Sequence, residues 1–177
     1  PDAQILRGKV HFTHAGSQLW CDSAYFFQEA NSVKAFGHVH FKQGDTLSLK
    51  CDYADYIGAE QMMHARRNVV LKHRTQTLYT DSLDYDRLYD NAYFFEGGKL
   101  IDGKDELVSD WGQYNTQSRK AAFFYNVRMR SNDDVIHTDT LFYDTRTSLA
   151  HVTGPSKIVS GDNVIHTADG YFNSKTD

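Results

Sequence analysis

Apolar and polar residues alternate along most of this chain, and short polar clusters interrupt the alternation at even intervals. Residues 33–42 (VKAFGHVHFK) and 46–57 (TLSLKCDYADYI) place apolar side chains on every second position for several steps, with QGD (43–45) between them and GAEQ (58–61) after them. Period two marks half-buried strands, and the Gly, Asp, Asn and Ser clusters are turn chemistry. HAGS (14–17), IDGKDE (101–106), RSNDD (130–134) and SGDN (160–163) fall at the same phase, so each unit reads as two strands joined by a turn. QEANS (28–32), DRLYDN (86–91), NTQSRK (115–120) and DTRTS (144–148) separate the units. Connections this short suit hairpins or arches, because a parallel crossover needs a dozen residues or more. No segment requires a helix.

One motif marks the period. A Cys, Thr or Ser is followed, usually through Asp, by a small or aliphatic residue and then Tyr or Phe: Cys21-Asp22, Cys51-Asp52, Thr80-Asp81, Ser109-Asp110, Thr138-Asp139 and Thr167-Ala168 open the six copies. Successive copies lie 29 or 30 residues apart. A period that regular means stacked structural units, each too short to bury its own apolar face. The expected class is all-β, with about twelve strands in six two-stranded repeats of ~29 residues forming an elongated two-sheet roll. Function is then to be sought along a surface, and not at one pocket.

The inward face follows from the phase. In the first strand of each unit Val10 and Phe12, Val39 and Phe41, Val69 and Leu71, and Val127 and Met129 share a face. In the second strand the apolar phase slips: Leu49 and Cys51 have one parity, Ala54 and Tyr56 the other. A bulge at the Asp restores a common face and bends the strand. The Asp would recur if its carboxylate accepted hydrogen bonds from backbone N–H groups that the bulge sets free.

Composition narrows the class. Aromatics are 14% of the chain, with 11 Tyr and 11 Phe against 2 Pro, a balance that favours strands. A net charge of −4 argues against nucleic acid, which needs a basic surface to displace phosphate counterions. No apolar run approaches the roughly 20 residues of a spanning helix. The period runs through 1–177 without a linker, which reads as one domain. The chain starts at Pro1 and its first and last units look cut, so it reads as a piece of a longer chain.

The repeat grammar resembles the OstA/LptA-like lipopolysaccharide-transport family. The residues that carry the resemblance are Gly37-His38-Val39-His40-Phe41, Asn68-Val69-Val70-Leu71 and the repeated Leu-x-(Cys/Thr/Ser)-Asp-x-(Ala/Leu)-x-Tyr, and it covers essentially the whole chain. It implies an antiparallel β-jelly roll in the periplasm of a Gram-negative envelope. It further implies acyl chains of lipopolysaccharide carried in an apolar groove, and end-to-end joining with itself or related Lpt-type jelly rolls into a bridge between membranes. High Tyr and Asp content brings the chain nearer to the larger OstA-like proteins.

On that reading the lipid-binding set is Val10, Phe12, Val39, Phe41, Leu49, Ala54, Tyr56, Val69, Leu71, Leu83, Tyr85, Val127, Met129, Leu141 and Tyr143. The same residues serve equally as plain sandwich core. Arg66 and Arg67 are weaker candidates for phosphates of the headgroup, since the guanidinium fork binds pairs of oxygens. The other basic stretch is Arg119-Lys120 with Arg128 and Arg130.

Other chemistry is sparse. His11, His38 and His40 could share an outer surface, but no carboxylate at matching spacing completes a zinc site, so no metal and no cofactor are expected. Cys21 and Cys51 occupy equivalent places in adjacent units, where Thr or Ser stands in the others, and free buried thiols are expected. No nucleophile elbow, phosphate loop or zinc-peptidase motif is present, and the Asp residues follow the structural period, so enzymatic activity is not expected. A structural β-solenoid or adhesin-like module that contacts protein or glycan is the competing reading, with a carbohydrate-active enzyme behind it. An interior wide enough for acyl chains favours transport, and a dry packed one the structural module.

Overall fold

A computed structural model describes residues 3–175. Fourteen strands run in chain order: β1 (Ala3–His14), β2 (Ser17–Phe27), β3 (Ser32–Gln43), β4 (Leu47–Ile57), β5 (Met62–His73), β6 (Gln76–Asp86), β7 (Asn91–Phe94), β8 (Gly98–Asp102), β9 (Asp105–Ser109), β10 (Trp111–Asn115), β11 (Lys120–Ser131), β12 (Asp134–Asp144), β13 (Leu149–Ser160) and β14 (Asn163–Asn173). Every pairing is antiparallel. Among the described residues there is no helix. The strands make one sheet that starts at β1 and ends at β14. The expected two strands per repeat hold; the number rises to fourteen because both runs of the fourth unit are broken midway, β6 pairing with β7 and β8, and β11 with β9 and β10. Phe94 fills the break, and a side chain at Gly98 or Gly112 would collide with its ring.

Each long strand bends once, at the place where the phase slips. In β3 and β4 the partners change from Phe36 with Tyr53 to Val39 with Cys51, so Gly37 and His38 oppose Asp52 alone. The same two-against-one step recurs between Arg66 and Val69, and between Phe124 and Val127. A bulge does fall at the level of the Asp, but its extra residue lies on the facing strand, where two residues oppose the Asp alone, and not in the Asp strand as the sequence suggested. The inserted pairs take left-handed backbone: φ is 78° at Gly37 and 47° at His38, 67° and 52° at Arg67 and Asn68, and 68° and 52° at Tyr125 and Asn126. Because the bends lie in one row, the single sheet folds on itself into two facing wings.

The leading Cys, Thr or Ser of the motif spans this bend. The side chain donates to the backbone carbonyl two residues on: Cys51 to Tyr53 at 3.2 Å, Ser109 to Trp111 at 2.7 Å, Thr138 to Thr140 at 3.3 Å and Thr167 to Asp169 at 2.7 Å, whereas Thr80 gives its proton to the Gly97 carbonyl at 2.7 Å. The register shift falls beside that carbonyl, and the side chain supplies it with a partner. The position therefore requires a small donor, and smallness alone does not explain the choice.

The Asp that follows does less backbone bonding than expected. The described case is Asn68 N–H donating to Asp81 at 3.1 Å. Elsewhere the carboxylate meets a side chain of the next strand's inserted pair: Asp22 with His38 at 2.8 Å, Asp52 with Asn68 at 2.9 Å, Asp110 with Asn126 at 2.7 Å.

The motif donor sets a testable cost. Ser109→Ala leaves the Trp111 carbonyl without its partner and is expected to cost about 1–3 kcal/mol, while Ser109→Thr keeps the bond and most of the stability. A melting temperature in Ser109→Ala equal to the parent's would show that the bond does not hold the bend.

Candidate functional site

All fifteen residues of the predicted inward set face the interior between the wings, and most are fully enclosed. Leu49, Leu83, Tyr85, Met129 and Leu141 are 0% exposed, and Val39, Phe41, Ala54, Val69, Leu71, Val127 and Tyr143 are buried beside them. Val10 lies at the edge of the core, while Phe12 and Tyr56 are half-buried. The set thus divides into a packed middle and a looser end near β1.

The enclosure comes from a seam along the side opposite the bends, where the rims of the two wings meet. Arg87 donates to Gln43 at 3.2 Å and to the Tyr56 hydroxyl at 2.9 Å. His73 and the Tyr114 hydroxyl share a 2.8 Å bond. The Tyr143 hydroxyl, with one proton to share, lies 2.8 Å from Asp102 and 2.7 Å from Asp105, and Ser174 donates to the same Asp105 carboxylate. These contacts link residues 31 to 69 positions apart, so no local pattern announces them. Burial governs their protonation. It pulls the His73 imidazole down to about 4, helped by the neighbouring Arg74 and Arg119, and it raises the Tyr143 phenol, helped by Asp105.

The seam does not cover the β1 end. There a cavity of about 150 Å3 opens among Phe12, Leu19, Val33, Phe41, Tyr56 and Met63. Arg87 also lines it, with the guanidinium 5.9 Å from the centroid of Phe41 and 5.8 Å from that of Tyr56. An apolar opening with one cation at its lip can take hydrocarbon inside and an anionic group at the rim. Of the predicted set, Phe12, Phe41 and Tyr56 meet here. Leu19, Val33, Met63 and Arg87 were missed; the first three obey the same alternation, whereas Arg87 sits in a turn whose position depends on how the wings close.

The structure does not bring Arg66 or Arg67 to this opening. Arg66 is committed to Asp84 at 3.0 Å and to the Leu83 carbonyl at 3.2 Å, and lies over Phe95. Arg67 stands at the bend in a depression shared with Asp81 and Glu96, where acidic neighbours offset its charge. The three histidines that could share a surface do not form a group: Trp20 lies between His11 and His40, stacked on His11 at 4.8 Å, and His38 turns to Asp22 because the inserted pair breaks the alternation. Cys21 and Cys51 are free and buried. They are not neighbours: β3 separates their strands, with Val39 opposite Cys51, and two strand spacings of ~4.8 Å exceed disulfide reach.

The geometry defines an antiparallel β-jelly roll closed on a packed apolar interior, with an opening at one end. The model of the OstA-like protein family matches residues 1–139 and 124–177, and the chain belongs to that family. The fold is similar to the crystal structure of LptH from Pseudomonas aeruginosa, described as the LptA-homologous periplasmic component of the conserved lipopolysaccharide transport device. That match has a TM-score of 0.54 and 11% sequence identity, and covers 68% of this chain and 93% of that one. No curated protein matches the chain.

The seam makes stability depend on pH. The folded pKa of His73, about 4, lies below its ordinary 6.5, so between these values the unfolded chain binds more protons. Its contribution is complete above pH 6.5 and is lost as pH falls towards 4. Urea denaturation at pH 7 and pH 5 should show a drop at the lower pH that is smaller in His73→Gln. An identical drop in both proteins would remove His73 as its source.

Proposed function

We propose that this chain is a periplasmic lipopolysaccharide-binding and transport protein, part of a bridge between the inner and outer membranes. The observation that carries the proposal is the apolar opening at the β1 end under Arg87. Membership of the OstA-like family and the LptH-like fold support it. In this reading acyl chains enter beside Phe12, Phe41 and Tyr56, and Arg87 meets the anionic headgroup. Further travel along Leu49, Leu83, Tyr85, Met129 and Leu141 requires the wings to part at the polar seam, since these residues are packed. Burial of hydrocarbon at roughly 25 cal/mol per Å2 is the driving force.

The sheet order supports assembly end to end. β1 and β14 are its terminal strands, and an unpaired strand edge can template another copy or a related jelly roll. On β14 the side chain of Ile165 is 50% exposed although its pairing partner Ile158 packs against the core, which suits a surface that a further strand covers.

The packed middle is the observation that favours the competing structural module, and photo-crosslinking separates the two. Benzoyl-phenylalanine at Phe41 is expected to capture purified lipopolysaccharide, benzoyl-phenylalanine at the outward His40 is not, and Arg87→Glu should reduce capture at Phe41 several-fold. A folded protein with no capture at Phe41 would point to the structural module.

A further inference from the structure

The outer face of the roll carries a group of bases that the interior path does not use. Just beyond the bend, cross-strand pairing sets Arg128 opposite His137, His137 opposite Lys157, and Lys157 opposite His166. All four are exposed. Basic residues directly opposite one another on a sheet repel or, at best, gain nothing, so the fold has no use for the alignment. Among the described residues none of the four makes an ion pair, whereas Arg66, Lys99 and Arg146 each have an acidic partner.

The bend beside them is altered too. Pro155 occupies the position that His38, Asn68 and Asn126 hold in other units, where each bonds the preceding strand's Asp. Proline offers no donor, so the Asp139 carboxylate lacks the corner bond of Asp22, Asp52 and Asp110. The four bases, Asp139 and Pro155 line a shallow depression of about 890 Å3, in which Asp139 is the one acidic lining residue.

We propose that this depression binds phosphoryl groups, as phosphate monoester or diphosphate. Arg128 supplies a planar two-pronged donor, Lys157 a mobile point charge, and His137 and His166 flanking N–H donors. Asp139 opposes the anion and limits affinity. The site lies on the outer face, apart from the opening lined by Phe41 and Arg87, and does not depend on the interior reading.

Inorganic pyrophosphate titrated into the whole chain and followed by NMR should move signals of residues 126–139 and 155–168. Arg128→Ala with Lys157→Ala should raise Kd at least tenfold with an unchanged melting temperature, and Asp139→Asn should lower Kd. Shifts spread over all basic residues, an unaltered Kd in the double variant, or a raised Kd in Asp139→Asn would overturn the proposal. Flotation with phosphatidylcholine vesicles, with and without phosphatidic acid, then identifies the source. Flotation only with phosphatidic acid, lost in the double variant, supports a lipid headgroup; pyrophosphate binding without flotation supports a soluble phosphate. Flotation that persists in the double variant, or binding to neither probe, overturns the proposal.

Discussion

A sheet that closes on itself must bend every strand at the same height, and each bend takes backbone groups out of the ladder. In four of the repeats a side-chain donor answers that demand, reaching from the motif's Cys, Thr or Ser to the carbonyl two residues ahead. The bond is short-range, so it forms within one strand whatever its neighbours do. The motif that carries it recurs every 29 or 30 residues, which aligns the bends into one axis. Both wings then turn their apolar faces inward, because the bulge restores to Ala54 and Tyr56 the side that Leu49 and Cys51 already occupy. The left-handed pair on the facing strand completes the turn, and at Gly37 it also leaves room for the Asp22 carboxylate, which an added side chain would strike.

Closure on the far side has a different character. The seam is built from buried or half-buried polar contacts, with Tyr143 on Asp102 and Asp105, His73 on Tyr114, and Arg87 on Tyr56 and Gln43. Such contacts yield little net stability but are expensive to leave unmade. They join the rims of the two wings by directional contacts instead of apolar packing. The bends form one side of the roll and the polar rims the other, with a cavity left at the β1 end. On the outer surface, at the corner where Pro155 stands, Asp139 lacks a side-chain partner among the described residues and a depression lies beside Arg128 and Lys157.

Much of this was legible in the residues. Period-two alternation placed Val39, Phe41, Leu49, Leu71, Leu83 and Met129 inside, and the parity change between Cys51 and Ala54 located the bulge, because strand geometry maps position directly onto face. The repeat fixed two antiparallel strands per unit. What remained hidden depends on which distant residues meet. The break of the fourth unit around Phe94, the intervention of Trp20 between His11 and His40, and that of β3 between Cys21 and Cys51 follow from strand order and side-chain volume. Arg87 looked like a turn residue and Arg66 like a free cation. Closing the wings carried the first to the apolar opening, and cross-strand pairing tied the second to Asp84. Local chemistry sets the bend and the face of each strand; only the folded sheet, by bringing opposite rims within hydrogen-bond distance, decides where the interior is sealed and where it stays open.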